Sequence, residues 1–589
     1  MRNVVNLLLL LVVISQIASG SEIRADEIVV DRLMDYEPDE KPQPNRWNFD
    51  PTLVPLWRKA LGRPESELKR MSSEALIQAH AFGYESVMTA IPELQAVVRE
   101  DQVHPAARYA AARALIVLNH RESARILFDA SQQHGKDLRQ LVEPALADWN
   151  FEEIRPVWRD RIASTSTPRR DLILAIQGLG IERDSSAVAG LLKLAMPGDV
   201  PADIRLAAAR SAGLVVHEGH GPLAEQLCAR KGASIVDRLC AVSLIGQHQS
   251  VRAVQIKLEM AADTEPTIAA TALRSLFAHD PKLVLDVADA AMQNNDANVR
   301  RVGVASYLKL PSPERLARVS RQLNDPHPEL RVNVRNALFS MAKNGEFKTE
   351  IIASAIAILA GDDWRGQEQA ALVLGALDQK QVSGRLIELI ESKRPEVMVA
   401  AAWSLRKLAL PETAASVHSY AERITKDAAT TTMPKHTDRQ MAHLFELLGI
   451  LKSRQAIPLM ETFIPKSLTF GIDSRAAAIW SLGVIQEGEA NKSLADKLLE
   501  RVKDVAGIPP EFEDVRRASV LSLGRLRAEQ QVQELKNLVA GGVGNFPVDL
   551  TIRWTIWKTT GEKLPIPVPP TLERTGWFLE HSPKLQPSP

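Results

Sequence analysis

Net charge is the first thing this chain lacks. Its 589 residues carry 72 Lys and Arg against 72 Asp and Glu, a formal balance of zero. Nucleic-acid binders show a basic excess, so the balance argues against a nucleic-acid partner. Cysteine is nearly missing, with only Cys228 and Cys240. Two thiols exclude a disulfide scaffold and a four-cysteine metal site. Aromatics make up only 5% of the chain. Beyond the N-terminus no stretch is apolar enough to span a bilayer, which takes ~20 residues. The sequence also has no GxSxG, no Walker loop, no haem-attachment CxxCH and no cysteine–histidine pair. The 13 histidines are scattered. Their one tight pair, His217 and His220 in "HEGHG" (217–221), stands three apart and beside two glycines. A zincin helix needs its histidines four apart, so this reads as a loop. No catalytic residue, metal site or cofactor is expected.

What is present begins with a targeting pattern. "MRNVVNLLLLLVVISQIASGSE" has a charge at Arg2, an apolar run from Val4 to Ile14, and small residues at Ala18 and Gly20. That order predicts a signal peptide over 1–20, cleaved before Ser21, and a periplasmic or secreted protein. An uncleaved anchor is the alternative. After cleavage no membrane span remains.

The body of the chain repeats one phrase. "RLAAARSAG" starts at Arg205, "RAAAIWSLG" at Arg475 and "RRASVLSLG" at Arg516. Taking the first residue as an anchor, fifteen such windows run from Ala75 to Arg553, most of them about 30 to 37 residues apart, a period typical of solenoids. Within the Arg475 window, Ala477, Ala478, Ser481 and Leu482 form one helical stripe. Prolines precede many windows (Pro105, Pro201, Pro328, Pro395), where a helix tolerates them in its first turn. Acidic residues two before the anchor, such as Asp203, Asp473 and Asp514, suit the positive helix end. A second apolar stretch between windows, such as "SSAVAGLLKLAM" (185–196), completes a unit of two antiparallel helices that is stabilised by stacking on its neighbours.

The fragments "DIRLAAARSAG" (203–213) and "DSRAAAIWSLG" (473–483) resemble the short HEAT-like, or lyase-type, repeats of HEAT-repeat proteins. The resemblance covers roughly residues 70 to 562. It implies an all-α HEAT-like α-solenoid, a superhelix of antiparallel helix pairs, with an Asp–Arg ladder between neighbours. Ten anchors are arginine, as the resemblance prefers; Ala75, Ile268, Gln367, Met398 and Met441 depart from it. Enzymes share this repeat, among them a di-iron hydroxylase, DNA glycosylases and bilin lyases, but their marks are missing here. The repeat implies a fold and leaves activity open.

Around the array at 75–562, the sequence predicts a Pro-rich acidic linker at 21–50, an N-terminal helical cap at 51–74 and a Pro-rich tail at 563–589. The segment 424–439 reads as an exposed polar insertion. Cys228 and Cys240 flank one turn, either as a disulfide or as two core thiols. Positions at anchor plus five lie off the apolar stripe and face out; Arg113, Arg210, Asn336, Trp403, Glu446, Trp480 and Lys558 hold them. Trp403 and Trp480 sit two repeat steps apart. Either they are exposed anchors of a binding surface, which favours Trp and Arg, or they tilt into neighbouring repeats as core. Trp403, Trp480, Arg113 and Arg210 are the candidate binding residues. The expected function is a non-enzymatic scaffold acting outside the cytoplasm, with a protein partner along the concave wall. A carbohydrate- or envelope-binding module is the alternative, because tryptophan faces stack on sugars. A HEAT-like enzyme ranks third.

Overall fold

A computed structural model describes residues 27–39, 46–229, 232–428, 431–540, 546–565 and 571–574. The signal segment expected at 1–20 lies outside the described residues. The chain divides into two compact units, one of Asn45–Val287 with Thr571–Pro589, the other of Met1–Pro44 with Ala288–Pro570.

Each of the fifteen windows falls on a helix, the second of its repeat. In the first unit these are α1 (Ser66–Ala81), α2 (Pro105–Val117), α3 (Lys136–Asp148), α4 (Arg169–Ile181), α5 (Ala202–Val215), α6 (Ile235–Leu244) and α7 (Pro266–His279). In the second they are α8 (Ala297–Lys309), α9 (Pro328–Lys343), α10 (Trp364–Ala376), α11 (Pro395–Leu408), α12 (Lys435–Ile450), α13 (Ile472–Ile485), α14 (Glu513–Arg525) and α15 (Pro547–Thr560). Within each unit, successive second helices pack side by side. A first helix packs on the second helix that follows it, as Val188–Ala195 does on α5 and Lys492–Lys503 on α14. The architecture is an all-α, HEAT-like α-solenoid. Proline opens α2, α7, α9, α11 and α15, where its missing N–H costs nothing.

The small residues of the phrase set how closely helices approach. In four windows of the second unit, the residue at anchor plus six donates its hydroxyl to a carbonyl of the preceding second helix. Ser404 reaches Ala371, Ser481 reaches Phe445, Ser522 reaches Ile479 and Thr555 reaches Val520, each at 2.8 Å. The glycine at anchor plus eight meets that same residue. A Cβ on Gly483 would fall 2.8 Å from Ser522 Cα, and one on Gly449 would fall 3.0 Å from Ser481 Cα. Only glycine lets the backbones come this near.

This seam corrects the register of two windows. Thr555 fills the plus-six place, so the anchor of α15 is Asp549 and not Arg553. Gly180 meets Ser211 as other plus-eight glycines meet their serines, so the anchor of α4 is Leu172 and not Arg170. Arginine is frequent enough here to imitate the anchor.

True anchor arginines tie three pieces together. Arg475 donates to the carbonyls of Phe463 and Ile464 at 3.2 Å and pairs with both oxygens of Glu511 at 2.9 and 2.8 Å. Arg300 does the same with Asn294, Asn295 and Asp325, and Arg205 with Ala195 and Asp237. Each guanidinium caps chain leaving its own first helix and reaches an acid of the next repeat. Gln367 keeps only the carbonyl half, donating to Gly361 at 2.7 Å.

Several expectations change. The linker reading of 21–50 does not hold for its described part. Residues 27–39 include a 3-10 turn, Leu33–Tyr36, and bury Ile28 and Met34 in the core of the second unit. Arg46–Phe49 pairs in parallel with Thr571–Arg574 of the tail, Arg46 opposite Thr571. Composition marked both stretches as solvated, yet each carries enough apolar or β-forming residues to dock. The boundary at 74 falls inside α1, so the cap is the first helix pair itself, Leu53–Leu61 with α1. The insertion at 424–439 is mostly helical, because Ala414–Ala428 and α12 run into it. Cys228 and Cys240 are free thiols, and burial pushes both up to about 11.

Candidate functional site

The second helices of the second unit carry a docked peptide, and that peptide is the chain's own residues 27–38. It meets the positions at anchor plus five. Asn336 on α9 accepts from the Ile28 amide at 3.4 Å, and neighbouring Arg335 donates to the Ile28 carbonyl at 3.0 Å. On α11, Trp403 Nε1 donates to Asp31 Oδ1 at 2.8 Å, and Arg406 adds a second bond to that oxygen at 2.6 Å. On α12, Glu446 accepts from the Met34 amide at 3.0 Å. On α13, Trp480 Nε1 donates to Glu37 Oε2 at 3.0 Å, and Arg525 of α14 pairs with the same oxygen.

The contact residues recur at every third position: Ile28, Asp31, Met34 and Glu37. Met34 lies in the 3-10 turn and Glu37 follows it in extended backbone, and both contact the second helices. Each of the two carboxylates receives an indole N–H and a guanidinium. Charge-assisted bonds of this kind are about twice as strong as neutral ones. Arg32 returns a contact in the opposite sense. It bridges Asp473 at 2.5 Å and Asp514 at 3.1 Å, both in the first turns of adjacent second helices, and is also held by Asp35. Arg517 donates to the carbonyls of Asp35 and Glu37 at 3.0 and 2.6 Å.

The electrostatics are those of a desolvated joint. Burial would raise the Asp31 carboxyl, but the Trp403 bond and the Arg406 charge overcome it and hold the group below the ordinary range. At Asp35, burial prevails over Arg32 and leaves the group raised. Burial also lowers Arg525, against the pull of Glu37. Arg406 is 3% exposed at its side chain and shared between Asp31 and buried Glu446.

Trp403 and Trp480 are therefore not exposed: each is 2% accessible. Their indole N–H groups are taken by the N-terminal segment, and a cation of the second helices lies over each ring. Arg525 stacks over Trp480 at 4.8 Å and Lys407 over Trp403 at 5.6 Å. Arg113 and Arg210 belong to the other unit, on α2 and α5. Arg113 pairs with Glu74 at 2.9 Å, and Arg210 is exposed. Nothing brings these two into the tryptophan site. The corrected register also removes Lys558 from the plus-five series and puts Trp554 there, half-buried. Trp403, Trp480 and Trp554 then recur at every second repeat. Arg406 and Arg525 were missed by sequence reasoning. One signal was present: Arg406 stands at anchor plus eight, where other windows place glycine.

The "HEGHG" stretch is a loop with structural duties. Glu218 Oε1 accepts from the Gln249 and Ser250 amides at 2.6 and 2.9 Å, and the His220 amide donates to His248 Nε2 at 3.2 Å. Among the described residues, no group of three or more His, Cys, Asp or Glu is placed to hold a metal ion. Among the same residues, no helix is long and apolar enough to cross a membrane.

No protein-family model matches the chain, and no curated protein sequence matches it. Solved HEAT-type solenoids are similar in coarse outline. A Kap95p structure with RanGDP has a TM-score of 0.49 at 13% identity, covering 86% of this chain and 72% of that one. Yeast importin-β (Kap95p) has 0.46 at 12%, with the same coverage. Kap121p bound to RanGTP has 0.47 at 12%, covering 86% of this chain and 56% of its own. Likeness of this degree is one of stacked helix pairs and bears on neither partner nor activity.

Proposed function

We propose that this protein is a non-enzymatic binding scaffold, acting outside the cytoplasm as a periplasmic or secreted protein. Its second-helix wall in the unit of α8–α15 engages a protein partner. One observation carries the reading: four of these helices hold a peptide segment through side chains that repeat at one position of the phrase. Solenoid proteins expose such walls as extended binding surfaces. The sugar-binding alternative loses its support, because both tryptophans are buried, at 2% accessible each. The test is site-specific photocrosslinking in the native host. A crosslinker at Lys407, on α11 and exposed, should capture one partner protein, and a crosslinker at Arg252 on the first helix Val251–Ala261 should not. Equal yields at the two positions would overturn the assignment of the wall. Mass spectrometry of the mature chain should find an N-terminus near Ser21; Met1 on mature protein would overturn the localisation.

A further inference from the structure

Resting on the scaffold reading, we infer that residues 27–38 are an exchangeable occupant of the wall, and that the partner brings an acidic segment of the same chemistry to displace it. The structure states what that chemistry is. An apolar residue, an aspartate, an apolar residue and a glutamate follow at intervals of three, as in Ile28, Asp31, Met34 and Glu37. The wall reads the two carboxylates with paired donors, Trp403 with Arg406 and Trp480 with Arg525. It reads the main chain with Asn336, Glu446 and Arg517.

The balance of contacts separates an exchangeable occupant from a fixed strut. Of residues 27–38, Ile28, Met34 and Pro38 are buried, and Val30 and Leu33 pack half-buried against the core; apolar burial at ~25 cal/mol per Å² is the part of docking that charge does not supply. Many of the other contacts are ionic or to main chain, at side chains 11 to 40% exposed, such as Arg32, Asp473, Asp514 and Arg525. Partly exposed pairs of this kind are weakened by salt and can be exchanged for those of a competing acidic segment.

The experiment uses the full mature chain and a fluorescein-labelled peptide with the sequence of residues 27–38, EIVVDRLMDYEP. Substituting Asp31→Ala and Glu37→Ala in the chain frees the wall while leaving its own residues intact. Fluorescence anisotropy should then show the probe binding the variant at least about tenfold more tightly than the wild type, because an occupied site lowers apparent affinity by the fraction that is open. The same two changes made in the probe should weaken its binding at least about tenfold. Equal binding to variant and wild type would show that the segment does not compete and would overturn the inference. So would absence of binding to a variant with an intact melting transition, which makes the segment a strut. A complex of two chains that excludes the probe would assign the wall to the segment of a second copy and overturn it as well.

Hydrogen exchange needs no substitution. Excess probe should speed exchange at the amides of Ile28 and Met34 in the wild type, and unchanged exchange would overturn the proposal. Failure here with crosslinking at Lys407 intact leaves the scaffold reading standing. Probe binding without a crosslinked partner sinks the scaffold reading instead.

Discussion

Trp403 is placed by its position in the repeated phrase and buried by a partner that the phrase does not show. Its burial depends on Asp31, 372 residues away, and no local pattern announces that. Trp403→Ala and Trp480→Ala should each open a cavity and destabilise the second unit by ~3–5 kcal/mol in chemical denaturation. Trp403→Phe keeps most of the volume and loses the bond to Asp31, at a cost of ~1–3 kcal/mol. Asp31 also fixes a pH dependence. Its carboxyl is held below the ordinary range, so its contribution is complete above the ordinary value, near ~4, and is lost as pH falls through the lowered one. Asp35 is raised by burial, and its ionised form works against docking, so protonating it first favours the docked state. Acidification should therefore leave the segment in place until about pH 4 and release it below. Tryptophan fluorescence should report this as a late acid transition. The Asp31→Asn variant should lose that transition, and an unchanged profile would move the effect to another group.

At the scale of the element, the repeat was legible because its marks are chemical necessities. Alanine, serine and glycine recur where backbones nearly touch, and arginine recurs where a helix end needs a donor. Gly483→Ala places a methyl 2.8 Å from Ser522 Cα. The α13–α14 pair must spread, at ~1–3 kcal/mol. Ser522→Ala removes the 2.8 Å bond to the Ile479 carbonyl and should cost ~1 kcal/mol. If both variants melt like the wild type, the seam does not set helix spacing. What the phrase concealed was its phase. Arg170 and Arg553 resemble anchors, yet the partners of Gly180 and Thr555 set the register by two and four residues elsewhere. That shift exchanges Lys558 for Trp554 in the wall. The docked segment was hidden for a different reason: "DYEPDEKPQP" has the composition of a solvated linker, and the apolar residues before it come in two short clusters, Ile28–Val30 and Leu33–Met34, with no helical or strand period.

For the whole molecule, stacking predicts local failure. Ala478 is fully buried in α13, and Ala478→Asp would place an unpaired charge between helices, costing ~3–5 kcal/mol. Limited proteolysis should begin in the repeats between about 440 and 520, while α1 to α3 stay protected. Cleavage spread evenly along the chain would indicate a single cooperative unit instead. The docked segment adds an order to biosynthesis. Ile28 and Asn336 stand 308 residues apart, and Glu37 and Arg525 stand 488 apart. The peptide is thus made long before its receiving helices exist, and loop closure over such distances is slow. At the pace of synthesis, ~5–20 residues per second, it must wait tens of seconds for its wall. The segment can engage its receiving helices in chain order, Asn336 of α9 first, and its docking is complete only after Arg517 and Arg525 of α14 have been made.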